Sequence, residues 1–191
     1  MRATVALVIA AAIAAAVYAA AREEPSAVRV GAVTLVGDSL NVGTEQALRA
    51  ELDGWSIEAH DRVGRATAEG VEELRSLGRT LAPVVVVSLG TNDPDASEGA
   101  FRALVDVALG HAGPTRCVVW ATIVRDGEPR TAFNDVLSAA TSTHGNLRLV
   151  DWAELVENDS TLLAGDRVHG SPSGYAQRAQ AVARAVGACA E

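Results

Sequence analysis

The sequence predicts an α/β domain, a doubly wound parallel sheet of about five strands between two layers of helices. Three observations predict it. Short β-branched runs alternate five times with longer amphipathic stretches, the run Val84-Val85-Val86-Val87 is apolar on both faces, and aromatic residues make up only 4% of the chain. Alternating strands and helices lead to parallel pairing through crossovers, and a sheet covered on both faces carries continuous aliphatic strands. With so few aromatics, the core must be built from Val, Leu, Ile and Ala.

The chain begins with a segment that is set apart from this domain. Residues 3–21 carry no charge and contain little beyond Ala, Val, Ile and Leu. As a helix they would span about 28 Å, close to the hydrocarbon thickness of a bilayer, which suits an uncleaved membrane anchor. The small residues Ala19-Ala20-Ala21 equally suit the cleavage site of a signal peptide. Residues 1–21 are therefore expected to be a signal peptide or anchor, and either places the remainder outside the cytoplasm, secreted or tethered. Residues 22–29, with paired glutamates, Pro25 and Ser26, read as a polar linker. Residues 30–191 then form one catalytic domain, since that length supports a single substantial core.

Within the domain the strands are expected at Ala32–Val36, Ser56–His60, Pro83–Leu89, Arg116–Ala121 and Asn146–Val150. Helical periodicity covers Leu40–Leu52, Ala66–Arg79, Glu98–His111, Arg130–Thr143 and Ser173–Val186. The third strand, aliphatic on both faces, should be central. In such sheets the active crevice opens beyond the carboxyl ends of the strands, so chemistry is to be sought just after each one.

Composition narrows the chemistry. All 16 basic residues are arginine, which removes lysine-dependent phosphate loops and Schiff bases. A net charge of −8 argues against nucleic acid and anionic lipid headgroups as partners, because both require a cationic face. The Gly-x-Ser-x-Gly elbow, the His-Glu-x-x-His zinc helix and the Gly-x-Gly-x-x-Gly loop are all missing from the sequence. Cys117 and Cys189 are the two cysteines, and the sequence leaves open a disulfide or two separate buried thiols.

Four strand ends carry residues able to do chemistry. Gly37-Asp38-Ser39-Leu40 follows the first strand and opens a helix, so Ser39 is either a nucleophile at the positive end of the helix dipole or a helix cap. Arg62-Val63-Gly64-Arg65 follows the second, where Gly64 would let the backbone approach a ligand or simply make a turn. Gly90-Thr91-Asn92-Asp93 follows the third and offers the Asn92 amide to a developing oxyanion, or to a loop hydrogen bond. Asp166-Arg167-Val168-His169 precedes the last helix. An Asp three residues before a His can turn back to hold one ring nitrogen and leave the other facing the serine.

These four segments, in this order, resemble the blocks of the SGNH, or GDSL-type, hydrolase superfamily over nearly the whole domain, from Val33 to about Tyr175. The resemblance implies a three-layer α/β/α, flavodoxin-like fold. It implies Ser39 as nucleophile, His169 as general base and Asp166 as its orienter, with an oxyanion hole from Gly64, Asn92 and the backbone N–H of Ser39. Gly170 follows the histidine where many members have Pro or Leu. The implied activity is hydrolysis of carboxylic esters with short acyl groups such as acetyl, without metal or cofactor. A second similarity lies in Leu147-Arg148-Leu149-Val150-Asp151-Trp152 and Val63-Gly64-Arg65, which look like SGNH domains associated with cell-surface glycan O-acyltransferases. It implies a glycan ester or glycan acceptor as the partner, and its alternative is a strand ending in a helix cap at Asp151. A non-catalytic glycan-binding domain of the same fold is the remaining alternative.

Overall fold

A computed structural model describes residues 31–189; the expected leader (1–21), the linker (22–29) and Val30 lie outside them. Among the described residues no helix is long and apolar enough to cross a membrane. Five parallel strands pair in the order β2-β1-β3-β4-β7, with β1 at Ala32–Gly37, β2 at Ser56–Ala59, β3 at Val84–Ser88, β4 at Cys117–Ala121 and β7 at Leu147–Val150. Two further short strands, β5 (Val124–Arg125) and β6 (Glu128–Pro129), make a separate antiparallel hairpin. The major helices are α1 (Ser39–Glu51), α2 (Thr67–Leu77), α3 (Glu98–Ala112), α4 (Thr131–Thr143), α5 (Trp152–Asn158) and α6 (Pro172–Ala188).

Because side chains alternate across a strand, the valine run divides itself between two cores. Val84 and Val86 join Val33, Leu35, Val119 and Val150 under α1 and α6, where Leu48, Val182 and Val186 close the layer. Val85 and Val87 join Trp120, Phe101, Leu74 and Leu137 under α2, α3 and α4. All five residues of β3 are buried, as its central place requires, whereas β2 is an edge strand and stays largely exposed. Trp120, wholly buried, satisfies its indole by donating Nε1–H to the carbonyl of Leu89, just ahead of the Gly90–Asp93 loop.

The five expected strands and five expected helices all form, each within a few residues of its expected ends. Besides short 3-10 turns, a hairpin and one more helix were not anticipated. The β5–β6 hairpin turns on Asp126 and Gly127, both with positive φ (56° and 82°), the geometry of a two-residue type I′ turn. Helix α5 starts from Asp151, whose side chain accepts the N–H of Glu154 at 3.2 Å. The run 147–152 is thus a strand followed by a capped helix.

At the edge of the sheet where the strands begin, Cys117 and Cys189 form a disulfide with their Cα atoms 5.8 Å apart, joining the start of β4 to the end of α6. Beside it lies a hollow of about 740 Å³, against Gly31, Trp55, Pro83 and Arg148. The disulfide closes a separation of 72 residues. A chain-entropy estimate for a loop of that size gives about 4 kcal/mol of stabilisation. Reduction, or Cys117→Ser, should therefore lower the thermal midpoint by several degrees in a melt followed by circular dichroism. An unchanged midpoint would mean that the bridge does not constrain the unfolded chain.

Candidate active site

Strand β1 and strand β3 are neighbours in the sheet, with Gly37 beside Ser88, yet their connections leave toward opposite edges. This is the topological switch point, where a crevice opens at the strand ends. Both the Ser39 turn and the Asn92 loop emerge there. Asp38, not Ser39, caps α1: its Oδ1 accepts the N–H of Leu40 at 2.9 Å. Ser39 is the first helical residue, and its hydroxyl is left free of capping duty. That hydroxyl meets Nε2 of His169 at 2.8 Å.

The histidine reaches the serine from a loop that is pinned at its base. Leu163 and Gly170 form an antiparallel bridge, the N–H of Ala164 donates to the carbonyl of His169 at 2.8 Å, and that of Ser171 donates to Leu162 at 2.8 Å. At its tip Arg167 adopts a left-handed conformation (φ 59°), uncommon for a residue with a Cβ. The turn brings Asp166 back onto its own loop. Its Oδ1 accepts the N–H groups of Val168 and His169, both at 3.0 Å, and Oδ2 lies 2.6 Å from Nδ1 of His169. The ring hydrogen bond, then the two backbone N–H groups, hold the Asp166 carboxyl down at about 2. An ionised Asp166 makes Nδ1 the donor, which turns the lone pair of Nε2 toward the Ser39 hydroxyl.

Asn92 lies half-buried beside the serine turn. Its Nδ2 donates to Oδ2 of Asp38 at 3.3 Å and to the carbonyl of Arg65 at 3.2 Å, so both amide hydrogens are engaged. Gly64 occupies the tip of the neighbouring turn, closed by the N–H of Arg65 on the carbonyl of Arg62. Its φ of +73° is one that L side chains rarely adopt, and it is exposed. Among the described residues neither the N–H of Gly64 nor that of Ser39 donates a hydrogen bond. The four expected strand ends therefore do converge. Ser39, His169 and Asp166 are joined by hydrogen bonds, Asn92 sits one contact away through Asp38, and Gly64 joins through Arg65.

Arginines that the sequence reading did not single out hold the Asn92 loop. Arg130 lies over the Phe133 ring, 3.8 Å from its centroid, and donates to the carbonyls of Gly90 (3.0 Å) and Asp93 (2.9 Å). Arg125, on the hairpin, donates to the carbonyl of Thr91. The same hairpin gives the N–H of Gly127 to the carbonyl of Arg167 at 2.7 Å, so it bridges the Asn92 and His169 loops. From the other side the carboxylate of Asp93 accepts the hydroxyl of Thr67 at 2.6 Å and its N–H, supplying a cap that Ala66 cannot. The dipeptide Asp126-Gly127 is a hairpin signal readable from sequence.

Beneath the site lie buried ionisable groups that also escaped the sequence reading. Asp38 is wholly buried, and burial pushes its carboxyl up against the pull of the Leu40 N–H and the charge of Arg178. Burial likewise raises Asp61 to about 6, while Asn41 donates to its Oδ1 at 3.2 Å. Arg178 is 1% exposed. It falls on the core face of α6 with Gly174, Val182 and Val186, at four-residue spacing where an aliphatic residue is expected.

No protein-family model matches the sequence, and no curated protein matches it. Solved structures do resemble the fold. The C-terminal catalytic domain of peptidoglycan O-acetyltransferase A from Streptococcus pneumoniae, solved with a methylsulfonyl adduct, is 20% identical over 84% of this chain and 92% of its own, with a TM-score of 0.65. A lipase/acylhydrolase from Enterococcus faecalis is 18% identical over 82% and 95%, TM-score 0.71. A member of the lipolytic G-D-S-L family from Veillonella parvula is 17% identical over 80% and 96%, TM-score 0.68. With its five-stranded parallel sheet in the order β2-β1-β3-β4-β7, the chain has the SGNH hydrolase fold.

Proposed function

We propose that the chain is a serine esterase that hydrolyses carboxylic esters of short acyl groups, such as acetyl, through an acyl-enzyme on Ser39. The observation that carries this reading is the unbroken chain from the Asp166 carboxylate through His169 to the Ser39 hydroxyl, at 2.6 and 2.8 Å. Its chemistry follows from that order of groups. As Ser39 Oγ bonds to the ester carbonyl carbon, its proton passes to Nε2 of His169, and Asp166 stabilises the imidazolium through Nδ1. The carbonyl oxygen becomes an oxyanion facing the free N–H groups of Ser39 and Gly64. Asn92 joins them by exchanging its contact with Asp38 or Arg65 for the oxyanion. The alcohol then leaves with the proton from His169, and water repeats the sequence to release the acid.

The position at the start of α1 adds the positive end of a helix dipole beneath the developing charge. The side chains of His169 and Asp166 are 39% and 52% exposed, so the reacting groups lie at the surface and not at the bottom of a deep pocket. Such an open site suits esters presented on a large molecule. That openness favours a second reading, transfer of the acyl group to a hydroxyl of a cell-surface glycan in place of water. The two share every step up to the acyl-enzyme. An extracytoplasmic location, secreted or membrane-anchored, belongs to the same proposal and is supported by the Cys117–Cys189 bridge, since disulfides persist in oxidising compartments.

Three outcomes are expected. A fluorophosphonate probe should label the full chain and fail to label Ser39→Ala, and a wild-type chain that resists the probe would defeat the acyl-enzyme. Asn92→Ala should lower turnover of an aryl acetate by about 10² to 10³, the usual cost of one oxyanion donor; unchanged turnover would remove Asn92 from the mechanism. His169→Ala should abolish turnover while leaving the fold intact by circular dichroism, because the serine proton then has no acceptor. Asp166, held down at about 2, remains ionised throughout and contributes no inflection to the profile between pH 5 and 8. Unchanged turnover in His169→Ala would argue against the base. Free acetate that falls when an acceptor glycan is supplied, with acetylated glycan formed in its place, would select transfer over hydrolysis.

A further inference from the structure

Arg178 is a cation enclosed in the body of the domain, and its contacts have a pattern. Nη1 donates to Oδ1 of Asn41 at 3.3 Å and to Oγ1 of Thr44 at 2.9 Å; Nη2 donates to Oγ of Ser88 at 2.8 Å. Asn41 and Thr44 belong to the first turns of α1, the helix that Ser39 begins. Ser88 ends β3, and its carbonyl accepts the N–H of Asp38 at 3.0 Å. Asn41 points the other end of its amide to Asp61, in the loop that leads to Gly64. Arg178 itself rides on α6, the helix that follows the His169 loop. One guanidinium thus touches, directly or through Asn41, the segments that carry Ser39, Asn92, Gly64 and His169.

Stability alone does not account for such a group. Burying an ion costs several kcal/mol, and replacing it with an apolar side chain of like volume is often neutral or favourable. What the guanidinium supplies instead is geometry at several donors and a positive charge near Asp38. Asp38 is the acceptor that orients the Asn92 amide. Resting on the serine-nucleophile reading above, we propose that Arg178 is a positioning residue for acyl transfer. It locks α1, the end of β3 and the loop before Gly64 in one arrangement, and its charge acts on the Asp38 carboxylate that holds Asn92. The other ionisable groups facing this centre are Asp61 and Tyr175, with Glu45 and Arg65 acting on Asp61 in turn.

The sign of the electrostatic effect is definite. Burial raises Asp38 and the positive charge lowers it, so removing the charge shifts Asp38 further toward its neutral acid. A protonated Asp38 accepts less strongly from the Asn92 amide, so without the charge activity on the acid side of the profile falls off at higher pH. The test compares the full-length wild type with R178M and R178K, measuring kcat, KM, the pH profile on an aryl acetate, the fluorophosphonate labelling rate and the thermal midpoint.

R178M is expected to lose between about 10- and 100-fold in kcat with KM little changed, the cost of a misplaced catalytic group, and to shift its acidic limb upward. R178K, which keeps the charge, should retain the wild-type limb and recover part of kcat. If R178M does not fold, Ser88→Ala and R178K are read in its place. Both then keep the wild-type limb while losing kcat, because each removes hydrogen bonds and spares the charge. An active wild type matched by R178M in kcat and pH profile, or by Ser88→Ala and R178K in kcat, overturns the inference alone. A wild type that neither hydrolyses the ester nor reacts with the probe overturns the serine reading, and this inference with it.

Discussion

Between β1 and β3, where Gly37 stands beside Ser88 in parallel register, the chain reverses the direction in which it builds the sheet. Nearly everything else follows from that pairing. It places the Ser39 turn and the Asn92 loop side by side, and it leaves the crevice open to the loop that returns with His169. The hydrogen bond from Ser39 to His169 joins residues 130 positions apart, so it exists only if every strand between them is in register. The two valine faces of β3 enforce the register by filling a separate core on each side. A one-residue slip would exchange them.

Carboxylates in and around the site show how environment divides one chemical group into several tasks. Asp166 is half-exposed, accepts three hydrogen bonds and is held anionic, which suits the partner of an imidazolium in the proposed reaction. Asp38 is enclosed and Asp61 half-buried, and burial pushes both toward neutrality. Asp38 is restrained from that by the Leu40 N–H and Arg178. The same residue caps α1 with one oxygen and orients Asn92 with the other, so Ser39 is freed from local duty by its own neighbour.

Much of this was readable from the amino-acid order. The β-branched runs and the 3.6-residue apolar periodicity located all five sheet strands and their helices, because both signals are carried by many residues at once. Asp166 and His169 were readable because both lie on one short loop. The missing pieces are those whose signal is brief or contrary. A hairpin with two-residue strands has no periodicity, and only Asp126-Gly127 marks it. Helix α5 spans seven residues and announces itself only through Asp151 and Glu154 at its start. Arg178 interrupts an apolar face, where pattern reading discounts a charge. Whether Ser39 caps its helix could not be read locally, since it depends on Asp38 taking the cap and on a histidine from the far end of the chain that meets the hydroxyl.

The disulfide end of the domain has a consequence for how the molecule can be handled. Gly31 and Cys189 line the same hollow, at the edge of the sheet where the strands start, and the crevice lies at the opposite edge. Anything joined to the domain at either of these residues enters at the pole remote from Ser39. A tether, a fused partner or a solid support would hold the molecule by its base and leave the end that carries Ser39 and His169 facing outward.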